Sequence, residues 1–122
     1  MTKFEKGQLA VDMEREAVCV IVDLLATPAK DYQIQALGGR TVAQENQNQS
    51  PEDPVVQVVY IESAEYRLSE WSPESLVQDH ETDRIDDVGG LRVYSLPAGR
   101  LKPSRAFPEL IEEATTEIKT GT

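Results

Sequence analysis

Two valine-dense segments constrain this chain more than any other feature. They are Ala17-Val18-Cys19-Val20-Ile21-Val22 and Val55-Val56-Gln57-Val58-Val59-Tyr60-Ile61. β-Branched side chains lose less freedom on a pleated sheet than in a helix, so both segments predict strands. Side chains alternate along a strand, which sends Val18, Val20 and Val22 to one side and Cys19, Ile21 and Asp23 to the other. Both sides are apolar in the middle, as expected of central strands covered on two faces.

The shorter segments fit around these two. Gln8 to Met13 has strand character, and with Glu14-Arg15-Glu16 as the link it predicts a hairpin onto Ala17 to Leu25. Pro28 marks a turn, because its ring sets φ and removes a donor. Tyr32 to Leu37 alternates as a half-buried strand does, Gly38-Gly39 turns the chain, and Thr41-Val42-Ala43 continues briefly. Residues 45–54 carry amides, acids and two prolines, and predict a surface loop. Glu62 to Trp71 reads as a lead-out with scattered aromatics. Ser72-Pro73-Glu74-Ser75 is a helix start: Ser72 caps, Pro73 suits the first helical position, and Glu74 favours the positive end of the dipole. That helix is expected over 73–79. Asp79 to Asp87 reads as an acidic loop, Leu91 to Leu96 as a strand, and Pro97 to Leu101 as a turn returning Leu101 to the core. Leu110, Ile111, Ala114 and Ile118 recur at helical spacing and predict an amphipathic helix over 109–119.

With 122 residues the chain suits a single domain, 1–122. Its longest apolar run, Ala17 to Val22, is far short of the roughly 20 residues of a membrane span. Met1 to Gly7 lacks the apolar stretch of a secretory signal. The expectation is a cytoplasmic protein with no membrane partner. One cysteine excludes an internal disulfide and a cysteine-rich metal site.

The formal net charge is −10, from 22 Asp plus Glu against 12 Lys plus Arg. The acids are spread through 12–16, 52–53, 62–74, 79–87 and 109–117 and do not form a tail. That pattern suits a protein adapted to concentrated salt, where self-repulsion is screened. It disfavours nucleic acid, whose phosphates are held by Lys and Arg.

The order of segments adds a resemblance. A Lys-Gly opening, an apolar two-strand meander, a proline-containing turn before a valine-rich strand, and Tyr94-Ser95-Leu96-Pro97-Ala98-Gly99-Arg100-Leu101 resemble small acidic proteins of halophilic archaea that are similar to SH3-like barrels. The resemblance spans residues 4–103. It implies a mainly β fold, an SH3-like barrel of about five strands, with Pro97 to Leu101 as the short helical turn joining the last strand pair. The helix over 109–119 is then an appendage. No catalytic signature comes with it.

The chemistry-bearing residues form no familiar set. Cys19 lies in the most apolar segment, where a thiol is a small inert hydrophobe. His80, beside Asp79, Glu81 and Asp83, reads as an exposed loop histidine and lacks zinc-ligand spacing. Asp86-Asp87 and Glu112-Glu113 are neighbours that so acidic a chain produces by chance. The acidic loop lacks the ligand ladder of a helix–loop–helix calcium site. Gly38-Gly39 and Gly89-Gly90 are turn doublets without phosphate-loop spacing. Neither a catalytic residue, a metal nor a cofactor is expected.

The expected function is therefore a non-enzymatic interaction module that meets a protein partner through an aromatic patch or a sheet edge. Tyr66 and Trp71, in polar surroundings, are the first candidates for contact, followed by Tyr60 and Tyr94. The alternative is a nucleic-acid-associated module using Arg92, Arg100, Lys102 and Arg105 as a basic strip.

Overall fold

A hairpin begins the fold. In the computed structural model, which describes residues 4–34, 38–85 and 90–104, β1 (Leu9–Asp12) lies antiparallel to β2 (Ala17–Pro28), with Leu9 opposite Val20 and Asp12 opposite Ala17. Glu16 closes the link with a left-handed φ of 55°. A second hairpin, β3 (Gln33–Ile34) with β4 (Arg40–Thr41), is only two residues deep. Thr41 then caps a single helical turn, α1 (Val42–Glu45), through a reciprocal pair of bonds with Gln44. The alternation expected to continue through Val42 gives way to this cap.

β5 (Pro54–Tyr60) pairs antiparallel with β2, placing Cys19 opposite Tyr60 and Ile21 opposite Val58. The two valine-dense segments are thus central neighbours. β6 (Tyr94–Pro97) pairs with the far side of β5, and β7 (Leu101–Pro103) with the far side of β1. The five-stranded sheet has the order β6-β5-β2-β1-β7.

Both faces are covered. Cys19, Ile21, Val56, Val58 and Tyr60 pack with Phe4, Ala10, Leu96 and Leu101 on one face. Val20, Val22 and Val59 pack on the other under α2 (Ile61–Arg67) and α3 (Pro73–Glu81), through Ala64 and Leu76. A register shift between Ile21 and Asp23 breaks the simple alternation. It brings the Asp23 carboxylate to 3.8 Å from His80 on α3, on the same side as Val22, as a bulge allows.

Several expectations change. Residues 61–67 are helical: Ile61, Ala64 and Leu68 lie three and four apart and seal the helix-side core. α3 starts at Pro73 behind the Ser72 cap as expected, with Ser75 N–H donating to Ser72 Oγ at 3.0 Å. It runs on to Glu81 and takes His80 out of the predicted loop. Strand pairing at residues 91–97 begins only at Tyr94. Arg105 and the helix expected over 109–119 lie outside the described residues. Among those described, no helix is long and apolar enough to cross a membrane.

The sheet is not closed into a barrel. β6 and β7 are consecutive yet occupy opposite edges, joined only by the 3-10 turn Ala98–Arg100. A flat sheet of five strands spaced ~4.8 Å apart would hold its edges roughly 19 Å apart. A three-residue link reaches at most about 14 Å, so the sheet must curl. The turn itself occupies the seam, and Met13 N–H donates to the Arg100 carbonyl at 3.0 Å, one position beyond the β1–β7 pairing of Asp12 with Leu101.

Candidate functional site

The seam is held by a buried polar cluster. Asp12 ends β1 on the same side as Ala10, and both are fully buried. Arg100, on the 3-10 turn, donates from Nε to Asp12 Oδ1 at 2.7 Å and from Nη2 to Oδ2 at 2.8 Å. Tyr60 O–H donates to the same Oδ2 at 2.6 Å. The backbone N–H groups of Glu14 and Arg15 donate to Oδ1. Arg100 Nη1 donates to Oδ1 of the buried Asn46, whose amide donates to the Val42 carbonyl. The Arg15 guanidinium caps the arrangement 4.2 Å above the Tyr60 ring, and Tyr94 meets Tyr60 edge-on at 5.2 Å.

This cluster has little chemistry to offer. Burial raises the Asp12 carboxyl, but hydrogen bonds from Arg100 and Tyr60 and the Arg100 charge outweigh it and hold the group below its ordinary range. Burial, then the bond to Asp12, pushes the Tyr60 phenol well up. Burial, then the Asp12 charge, pushes the Cys19 thiol up to about 12. A charged pair with its lone pairs filled is a clasp, and neither Tyr60 nor Cys19 is poised as a base or nucleophile at neutral pH.

The second site is a furrow beside the outer edge of β6. One half, about 260 Å³, is lined by Ile34, Val93, Tyr94 and Leu96 with Asn46 and Arg100 at its floor. The other half, about 340 Å³, is lined by Tyr32, Gln57, His80, Ser95 and Asp83 among others. The halves share Ile34, Arg92, Val93 and Ser95. Gln57, on the helix side of β5, donates from Nε2 to Tyr32 Oη at 3.1 Å and to Ser95 Oγ at 3.3 Å. Its Oε1 lies 2.9 Å from His80 Nε2. With the amide oxygen as acceptor, His80 must carry its proton on Nε2. Gln57 therefore separates Ser95 from His80, so the two do not form a nucleophile–base pair.

The structure separates the candidate aromatics. Tyr66 on α2 is 86% exposed, whereas Trp71 lies half-buried against the helix-side core. Tyr60 is 3% exposed and, with Tyr94, belongs to the opposite face. Of the basic strip, Arg92 and Lys102 are exposed, but Arg100 is committed to Asp12. Tyr32 and Gln57 carry no functional expectation from sequence, and His80, expected as an exposed loop histidine, instead turns into the furrow. The one signal for Gln57 is an amide in the middle of an otherwise apolar strand. Among the described residues no group of His, Cys, Asp and Glu is arranged to hold a metal ion. The chain matches no protein-family model, no curated protein and no solved structure.

Proposed function

We propose that this chain is a non-enzymatic interaction module of a salt-adapted cytosol, which takes an extended segment of a protein partner along the outer edge of β6. One observation carries the reading: β6 is paired on one side only among the described strands, and a continuous furrow with apolar and polar halves runs beside it. An unpaired edge supplies backbone donors and acceptors, and alternating pockets supply selectivity. The edge is favoured over an aromatic patch because Tyr60 is buried and Trp71 and Tyr94 are partly covered, which leaves Tyr66 as the one exposed member of the four. Nucleic acid is the weaker alternative, since Arg100 is neutralised by Asp12. The relation to SH3-like barrels belongs to the same proposal; support comes from the two final strands lying on opposite sheet edges about a short 3-10 turn.

Selecting a displayed peptide library on the folded chain, then measuring amide hydrogen exchange in the complex, tests this reading. New protection is expected at the outward-facing amides of β6, every second one among Tyr94, Ser95 and Leu96, while those bonded to β5 are already protected. Failure to recover a binder, or recovery of binders that leave the outward-facing amides unprotected, overturns it.

A further inference from the structure

The polar half of the furrow is built to donate. The Tyr32 and Ser95 hydroxyl oxygens both accept from one Gln57 amide nitrogen. A hydroxyl that spends its oxygen as acceptor keeps its own hydrogen to give, and neither hydrogen goes to another described residue. Arg92 stands on the rim, exposed, without an ion pair to any described residue. Ile34, Ile85 and Val93 supply apolar walls beside these polar groups in a pocket that stays open to solvent. Two convergent hydroxyl donors beside a guanidinium suit the oxygens of an anion.

A small anion of single charge suits this pocket better than a dianion. Asp83 lines the same pocket, and Asp23 stands 3.8 Å from His80 Nε2, the ring nitrogen that also meets Gln57. Their repulsion grows in proportion to the ligand's charge, so a dianion is opposed about twice as strongly as a monoanion. We infer that the pocket between Tyr32, Ser95 and Arg92 is a carboxylate-binding site. This rests on the β6-edge reading for its natural occupant: the acidic side chain or terminal carboxylate of the docked segment, lying beside Ser95. A free small carboxylic acid presents the same group and is the other source.

NMR titration at fixed ionic strength tests the inference with three probes: acetate, inorganic phosphate, and a pair of β6-binding peptides differing only by Glu against Gln. Acetate should shift the signals of Tyr32, Gln57 and Ser95 saturably, and phosphate dianion should bind less tightly. The double variant Tyr32→Phe/Ser95→Ala keeps the packing and should weaken acetate binding roughly tenfold or more, as loss of bonds to a charged group implies. Arg92→Gln should weaken it severalfold. The Glu peptide outcompeting the Gln peptide assigns the carboxylate to the partner; equal binding with acetate still bound assigns it to a free acid. Absence of acetate shifts, shifts indifferent to the double hydroxyl variant, or a preference for phosphate overturns the site. Loss of edge protection with acetate binding intact removes the peptide reading alone.

Discussion

Asp12 and Arg100, 88 positions apart in the chain, meet as a two-pronged ion pair with bonds of 2.7 and 2.8 Å. The pair ties the end of β1 to the turn between β6 and β7, and so fastens the open seam of a curled sheet. Asp12 is fully buried, so its charge depends on the clasp for compensation.

Removing one partner should therefore cost more than the pair is worth. Asp12→Ala strands Arg100 and the Tyr60 hydroxyl, and is expected to destabilise the fold by about 3–5 kcal/mol. The double change Asp12→Ala/Arg100→Ala should cost well below the sum of the two single changes. Urea unfolding of the four proteins in the cycle measures this, and strict additivity would show that the two side chains are not coupled.

Acid should loosen the clasp. The native Asp12 carboxyl titrates below its unfolded value of 3.8. Its contribution is complete above that value and fades as pH falls through the lower folded value. Asp12→Asn should flatten the acid limb of the stability profile below about pH 4. An unchanged limb would assign acid unfolding to other carboxylates.

Cys19 should be silent while the chain is folded. Its thiol is buried between β1 and β5 and pushed up to about 12. At pH 8 a thiol reagent should label it only through unfolding, at a rate that rises with urea. Prompt labelling of the native protein would contradict the burial.

Gly99 should resist enlargement. A Cβ there would run into the Asp53 carboxylate and come within 2.8 Å of Gln49 Oε1. The Gly99 N–H already donates to that Asp53 carboxylate at 3.0 Å. Gly99→Ala should cost about 0.5–1.5 kcal/mol, the loss of that hydrogen bond, since the ends of the Asp53 and Gln49 side chains can swing aside. Gly39→Ala meets no atom of the described residues within 4 Å but sits at φ +86°, so its cost is expected from the backbone. Thermal melts of both variants separate the two effects.

Salt should stabilise the fold. A net charge of −10 repels itself most at low ionic strength. Moving from dilute buffer to molar salt shortens the Debye length to about 3 Å, and a gain of about 1 kcal/mol would show as roughly 4 °C in Tm. Equal melting temperatures in both buffers would remove the salt-adapted reading.

Local signals made part of this architecture legible. The Gln8 to Leu25 hairpin, the second valine-rich strand, the Ser72 cap and the turn at Pro97 to Leu101 all follow from short-range chemistry. α2 was obscured because Tyr66 and Arg67 are exposed and only Ile61, Ala64 and Leu68 betray its period. His80 looked like a loop residue because its acidic neighbours are solvated, while its own ring turns inward to Gln57.

The amino-acid sequence by itself determined which segments are extended, which strands are covered on both faces and where the main helix begins. Those choices depend on side-chain shape, alternation and capping within a few residues. Tertiary structure alone decided that Asp12 is buried, that Arg100 is a clasp and not part of a basic strip, that the sheet stays open, and that Tyr32, Gln57, His80 and Ser95 share one furrow. These outcomes depend on pairing between distant segments, where burial and hydrogen bonding are settled only when the sheet has curled.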